Sequence, residues 1–319
     1  MKIAVLERNS VGPDISVDCL KELGDVTFYP NTVTMEEVRE RVKDAEIIVA
    51  NKSPMCGESL KDAPNVRLIC EFATGYDNCD LGYLKSRGIL VCNVADYCTD
   101  MVAQHTFTLA LALGQKLAAY DNYVKSGAYS AQDRFSNFDL PFYELAGKTW
   151  GIVGMGHIGR RTAQIAQAFG CKVIFYSITG KSTCREYKQV DKDTLFAESD
   201  FLSLHCPLSD LSRGFINREA LRKMKKSAVL INVARGAVVN GADLYEALMT
   251  GEIAAAGLDV LEKEPLQPVN PLSKIKDSTK LIITPHLAWG SVEARMRCVQ
   301  GVYDNIQAFL NGTPIHIVE

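Results

Sequence analysis

Several things are scarce in this sequence, and each scarcity closes off a class of function. No apolar stretch reaches the roughly 18 to 20 residues needed to cross a bilayer; the nearest approach, Phe107 to Leu113, lies inside a longer mixed segment. No membrane partner is therefore expected. The first strand-like run, Ile3 to Leu6, meets charge at Glu7 and Arg8, too soon for the apolar core of a secretory leader, so a cytoplasmic protein is expected. Basic runs are also missing. With 35 basic and 38 acidic residues the net charge is −3, and Lys223, Lys225 and Lys226 form only a short solvated cluster, so no nucleic-acid partner is expected. The ten cysteines form no Cys-x-x-Cys pair, and five histidines offer little help toward a zinc site. They read as reduced, mostly buried thiols, with no metal.

What the chain does have is the balance of a globular protein, 47% apolar and 23% charged. Its 319 residues exceed the roughly 250 to 300 that one core usually supports, so two domains are expected. Strand candidates at Ile3–Leu6, Val26–Tyr29, Glu46–Ala50, Arg67–Phe72 and Ile89–Cys92 alternate with helical segments, among them one with Ile15, Cys19, Leu20 and Leu23 on one face. Thr34-Met-Glu-Glu37 has the spacing of a capping box. From Asp100 to about Tyr120 apolar residues surround a helix on all sides, which suits either a crossing between domains or packing against its copy in a homodimer. Ala128 to Leu145 has no period and reads as a long connection. Six further strand candidates follow, at Thr149–Val153, Lys172–Tyr176, Phe201–Leu204, Ala228–Val233, Ala255–Val260 and Leu281–Thr284. The βα alternation predicts an α/β protein with two doubly wound parallel sheets.

Gly154-Met-Gly156-His157-Ile158-Gly159 lies between the first of these six strands and a helix with Ile158, Thr162, Ile165, Ala166 and Phe169 on one face. In that context it reads as a dinucleotide loop: Gly154 for the tight turn, Gly156 for close approach of a pyrophosphate, Gly159 for helix–strand packing. The helix N-terminus adds unpaired N–H groups for the anion. Coenzyme choice turns on the end of the next strand. Ser177 stands where NAD-binding chains usually carry a carboxylate, and Thr179, Lys181, Ser182 and Arg185 supply hydroxyls and positive charge suited to a 2′-phosphate. This favours NADP over NAD.

Four more segments carry a resemblance: Asn232-Val233-Ala234-Arg235-Gly236, Asp259-Val-Leu-Glu-Lys-Glu264-Pro265, Thr284-Pro-His286-Leu-Ala-Trp289 and, upstream, Ala73-Thr74-Gly75-Tyr76-Asp77-Asn-Cys-Asp80. In this order the chain resembles the D-isomer-specific 2-hydroxyacid dehydrogenases over nearly its whole length, most of all the glycerate dehydrogenase and hydroxypyruvate reductase branch. The chemistry of such enzymes needs a hydride at C2, a proton on the oxygen and an anchor for the carboxylate. Arg235 suits the anchor as a planar permanent cation, His286 the proton transfer, and Glu264 the partner that orients the imidazole.

The resemblance further implies a flavodoxin-like substrate domain, residues 1 to 98 and 287 to 319, a Rossmann domain from 99 to 286, and a cleft between them. It implies that Thr74, Gly75 and Tyr76 meet the substrate carboxylate, with Asn51 and Lys52 nearby. Asp259 would hold the nicotinamide carboxamide, the turn His205-Cys206-Pro207 would border the coenzyme with Val233 and Ala234, and Trp289 would shape the pocket. The expected activity is NAD(P)-dependent reduction of small 2-keto acids, hydroxypyruvate or glyoxylate first, with pyruvate or phenylpyruvate as alternatives. A dinucleotide-sensing corepressor is the alternative of another class. A formate dehydrogenase-like activity is disfavoured, since that pattern has Gln in the place of Glu264.

Overall fold

The computed structural model describes residues 1–318. The chain divides into two compact units, Met1–Cys98 with the segment from Gly290 on, and Thr99–Trp289. Both are α/β units built on parallel sheets. In the first, strands β1 (Lys2–Val5), β2 (Asp25–Phe28), β3 (Ile47–Ala50), β4 (Leu68–Glu71) and β5 (Leu90–Cys92) lie in the order β2-β1-β3-β4-β5. That is the flavodoxin-like order. β3 and β4 are buried along their whole length, which is why they read as unbroken apolar runs rather than alternating ones.

Helix Met35–Val42 starts at the predicted capping box, with Glu37 N donating to Thr34 Oγ1 at 3.2 Å and Thr34 N to Glu37 Oε2 at 2.9 Å. The helix expected around Cys19 is instead a 3-10 segment, Asp18–Leu23. Bounded by Gly12-Pro13 before and Gly24 after, it is too short to repay the cost of nucleating an α-helix. The C-terminal helix Val292–Leu310 buries Cys298, Val299, Val302 and Ile306. Beyond it the tail runs antiparallel to β5, where Val318 N donates to Val91 O at 2.8 Å.

The second unit carries β6 (Thr149–Val153), β7 (Lys172–Tyr176), β8 (Lys188–Gln189), β9 (Phe201–Leu204), β10 (Val229–Asn232), β11 (Ala255–Leu258) and β12 (Leu281–Ile283), in the order β12-β11-β10-β9-β6-β7-β8. Six of the seven were expected. β8 is two exposed polar residues at a sheet edge, which leave no hydrophobic signal.

The all-round apolar helix runs only from Thr99 to Gly114, because Lys116 turns left-handed (φ 56°) and a separate helix, Leu117–Lys125, follows. The apolar faces of the first helix are used within its own unit. Phe107 stacks on Trp150 at 4.4 Å between centroids, and Leu109 and Leu113 lie against Gly257 of β11, where a Cβ would stand 3.0 and 3.2 Å from them. Within 128–145 only Ala128–Ala131 is helical, and Phe135 and Phe138 are 92% and 75% exposed.

Candidate active site

Parallel strands in register put their C-terminal ends on one line. In the second sheet that line is Tyr176–Val153–Leu204–Asn232–Leu258–Ile283, each residue paired with the next across six neighbouring strands. The residues that follow on each strand are Ser177, Gly154, His205, Val233, Asp259 and Thr284. The residues singled out from the second half of the sequence therefore lie at or a few positions beyond this edge, except Arg185, Glu264 and Trp289, which hang from the loops past it. Open α/β sheets bind ligands at this edge.

The glycine loop has the shape of a dinucleotide cradle. Gly154 sits at φ 93° with its N–H on Tyr176 O at 3.0 Å, and a Cβ there would stand 2.8 Å from His205 O. A Cβ on Gly159 would fall 2.1 Å from Gly154 O, so the helix His157–Ala168 reaches the strand only because that position is bare. At Gly156, by contrast, nothing lies within 4 Å of the Cβ direction. The space is open in front of the helix N-terminus, where His157 and Ile158 present first-turn N–H groups, so the residues present fit a pyrophosphate.

At the end of β7, Ser177 is 9% exposed and its carbonyl accepts Gly180 N at 3.1 Å, which folds Thr179 and Lys181 into an exposed turn. Arg185, expected to meet a phosphate, donates to the carbonyls of Ser182 (3.3 Å) and Cys184 (3.2 Å) of its own loop. Arg160, which was not singled out from sequence, reaches Thr183 Oγ1 at 3.5 Å over the same turn. In the neighbouring turn the buried His205 ring is held below its usual range, at about 3, by desolvation, so it is neutral. Its Nε2 meets Ser203 Oγ at 3.0 Å, the same oxygen that accepts Trp150 Nε1. Cys206 beside it is buried and Pro207 exposed.

Arg235 is carried by a turn that Asn232 builds from inside. The Asn232 amide donates to Arg235 O at 3.0 Å and accepts Ala234 N at 3.1 Å, which also seals Val233 and Ala234 into the edge. Arg235 Nη1 donates to Ala234 O at 2.9 Å. Gly236 follows because the backbone of Leu261 crosses there: a Cβ would overlap Leu261 C at 1.9 Å. Leu261 N in turn donates to Glu264 Oε1 at 2.9 Å, and Glu264 Oε2 lies 2.7 Å from His286 Nδ1. An ionised carboxylate only accepts, so Nδ1 carries the proton toward Glu264 and Nε2 is the nitrogen left for proton exchange.

His286 itself is at φ 55°, a region that costs a residue with a Cβ about 1 to 2 kcal/mol. Asp259 holds it there. His286 N donates to Asp259 O at 2.8 Å, and the Asp259 carboxylate accepts Leu287 N (2.9 Å), Ala288 N (2.8 Å) and Thr284 Oγ1 (2.5 Å). The 2% exposed Asp259 side chain is thus engaged by the segment that bears His286. These bonds also place Leu287, Ala288 and Trp289 in the second unit, not with the C-terminal tail as residue 287 onward was expected to be. Trp289 Nε1 donates to His286 O at 3.0 Å and braces the same loop. Behind it, His105 Nε2 lies 3.0 Å from Thr284 Oγ1, and burial holds the His105 ring below its usual range, a neutral donor despite Asp259 nearby. His105 went unread in the sequence; its one signal was a histidine inside an otherwise apolar helix.

In the first unit the residues expected near substrate also follow strand ends. Asn51 and Lys52 come after β3, but their N–H groups, with that of Ser53, are donated to the Glu7 carboxylate at 2.6 to 3.1 Å, and Asn51 is buried. Thr74, Gly75 and Tyr76 come after β4. Thr74 Oγ1 donates to Val94 O (3.0 Å) and its carbonyl accepts Asn93 Nδ2 (2.7 Å), while Tyr76 O accepts Cys79 N (3.0 Å).

The family model described as D-isomer specific 2-hydroxyacid dehydrogenase, NAD binding domain, matches residues 107–288. The chain belongs to this dehydrogenase family. It is 37% identical over 326 residues to a hydroxypyruvate reductase of Blautia hydrogenotrophica, covering 100% of this chain and 99% of that one. To a glycerate dehydrogenase of Methylorubrum extorquens it is 38% identical over 318 residues, with the same coverage. Among solved structures, an acyclic imino acid reductase in complex with NADPH and D-Arg superposes with a TM-score of 0.90 at 29% identity, each chain covered completely. The dehydrogenase is thus an oxidoreductase with a nicotinamide coenzyme domain. Among its described residues no helix is long and apolar enough to cross a membrane.

The Asp259–Thr284–His105 chain makes a direct prediction. Thr284→Val keeps the shape but leaves the His105 donor unmatched and takes one of the three donors from the Asp259 carboxylate, at a cost of roughly 1 to 3 kcal/mol. Urea denaturation should show that loss; a midpoint equal to wild type would remove the hydroxyl from the support of the His286 loop.

Proposed function

We propose that this dehydrogenase reduces hydroxypyruvate and glyoxylate to D-glycerate and glycolate, with NADPH favoured over NADH. The observation that carries the reading is the 2.7 Å His286–Glu264 pair at the same sheet edge as Arg235 and the glycine loop. The named relatives, a hydroxypyruvate reductase and a glycerate dehydrogenase, support the choice of substrate. The nicotinamide, when bound, supplies the hydride that reaches C2. Gly154, Gly156 and Gly159, with the N–H groups of His157 and Ile158, hold the pyrophosphate, and the turns at His205-Cys206-Pro207 and Val233-Ala234 line its course. Arg235 binds the substrate carboxylate and draws electron density from the keto group. His286 Nε2 gives its proton to the carbonyl oxygen as the hydride arrives, and Glu264 keeps the ring turned to do so. Thr74, Gly75 and Tyr76 present backbone to the carboxylate, Lys52 adds positive charge, and Trp289 fixes the His286 loop. Asp259 acts through that loop.

The preference for NADPH is supported by Ser177 in place of a carboxylate, by the exposed Thr179 and Lys181, and by Arg160, which reaches Thr183 of the same loop. The free state of all ten cysteines supports a reducing, cytoplasmic setting. The exposed aromatics of the 128–145 segment support a homodimer, since the neighbouring helix spends its own apolar faces internally. Light scattering on the eluting protein should give twice the 35.1 kDa chain mass, and a monomer mass would sink the dimer.

Oxidation of NADPH and NADH should be followed with hydroxypyruvate, glyoxylate, pyruvate and phenylpyruvate. The first two should be turned over fastest; a pyruvate or phenylpyruvate preference would reassign the substrate, and coenzyme binding without turnover would favour a sensor. His286→Ala should lower kcat by roughly 10² to 10⁴ while leaving the fluorescence titration of coenzyme unchanged, and unaltered kcat would remove His286 from proton transfer. Ser177→Asp should move the kcat/KM ratio toward NADH by about tenfold, through repulsion of the 2′-phosphate. If the ratio stays put, the coenzyme choice lies elsewhere.

A further inference from the structure

Glu71 ends β4 with a fully buried side chain that the reaction scheme above does not use. One of its oxygens, Oε1, accepts Asn78 Nδ2 at 3.0 Å and Cys79 Sγ at 3.2 Å. The other, Oε2, is buried with no hydrogen-bond partner. Asn78 Nδ2 also donates to Ser53 O at 2.9 Å, Asn78 O accepts Met55 N at 2.9 Å, and Asp80 N returns to Met55 O at 2.9 Å. The loop of residues 73–80 is thereby tied to the loop of residues 51–55, whose other side hangs by three N–H groups from Glu7. The two loops placed on the substrate side share a single polar hub, and Glu71 is its buried end.

We propose that Glu71 is a positioning residue for the 2-keto acid, holding the 73–80 loop to the 51–55 loop through Asn78 and Cys79, and that its charge state sets how tightly the loop takes the substrate carboxylate. The inference rests on the proposed function for the identity of the ligand. A neutral carboxyl leaves Oε2 merely unpaired. An ionised one leaves half of a buried negative charge unmatched, beside a loop that has to accept a second anion.

The charged and titratable groups that act on Glu71 are Glu7 beyond β1, Lys52 beyond β3 and Cys79 in its own loop, while the adjacent Cys70 points to the other face of the strand and feels its charge. Burial pushes the Glu71 carboxyl up to about 7 and Glu7 pushes the same way, against the hydrogen bonds from Cys79 and Asn78 and the charge of Lys52. Burial also keeps the Cys79 thiol protonated, and so a donor. Ionisation of Glu71 therefore falls within the working pH range, and the substrate affinity it controls should weaken as pH rises through about 7.

The test is the KM for hydroxypyruvate at saturating reduced coenzyme from about pH 6 to 8.5, in the wild type, Glu71→Gln and Glu71→Ala. Glu71→Gln keeps an acceptor for Asn78 and Cys79 but cannot ionise. Its KM should match wild type near pH 6 and be roughly tenfold lower than wild type near pH 8.5, with kcat the same within about twofold. Glu71→Ala, which releases the hub, should raise KM at every pH while sparing kcat. A parallel readout needs no turnover. A carboxyl raised in the fold contributes stability that is present below its unfolded value of about 4.3 and lost as pH climbs through about 7, so wild type should lose thermal stability relative to Glu71→Gln over that interval.

A wild type that reduces no 2-keto acid overturns the proposed function and the ligand assigned here. If wild type turns over but Glu71→Gln keeps the wild-type KM profile and pH–stability curve, the role of Glu71 alone falls. Should Glu71→Ala fail to fold, the Glu71→Gln profile decides by itself.

Discussion

The second unit of this dehydrogenase depends on which groups the buried carboxylate of Asp259 accepts from. Placed one residue beyond β11, it gathers two backbone N–H groups and a hydroxyl from the segment beyond β12, and its own carbonyl takes the N–H of His286. That set of bonds offsets the left-handed backbone at His286 and aims the imidazole at Glu264. A carboxylate buried without such donors would be prohibitively costly; with them it fixes a loop more tightly than packing could.

The same device recurs in the first unit. Glu7, just beyond β1, gathers three successive N–H groups of the loop after β3. Glu71, at the end of β4, gathers the side chains of the loop that follows it. In each case an acidic residue at the C-terminal end of a parallel strand organises irregular backbone where secondary structure can no longer satisfy it. Acidity at strand ends thus has two uses in this chain. Glu264 is about a third exposed and directed at the His286 imidazole, whereas Asp259, Glu7 and Glu71 are buried and directed at backbone or at loop side chains.

Much of this architecture was legible in the sequence. Apolar runs bounded by turn residues located every strand long enough to have a core face, and the capping box at Thr34 located a helix start to the residue. The motifs around Arg235, Glu264 and His286 were visible because their chemistry requires particular residue types. The rest was hidden for definite reasons. β8 has no buried face to betray it. The break at Lys116 lies in backbone conformation that a lysine does not advertise. The hydrogen bonds of Asp259 to the His286 segment carry no local signal, because a motif names a residue without saying which way its side chain turns. Glu7 and His105 act through partners 44 and 179 residues away, distances over which no local pattern reports, and Glu71 through irregular loop side chains seven and eight residues on that follow no period.

The register line at the end of the second sheet has a consequence for how such an enzyme can change. Each site residue is counted from a strand residue held in the ladder, and side chains alternate faces along a strand. Inserting one residue into β10 or β11 would advance the following loop by about 3.3 Å and turn Arg235 or Asp259 to the opposite face. Beyond the line no ladder fixes the count, and loops can lengthen at small entropic expense. In this sheet, changes of length are therefore confined to the segments past Val233, past Asp259 and past Thr284, while the strands that end there behave as fixed rulers.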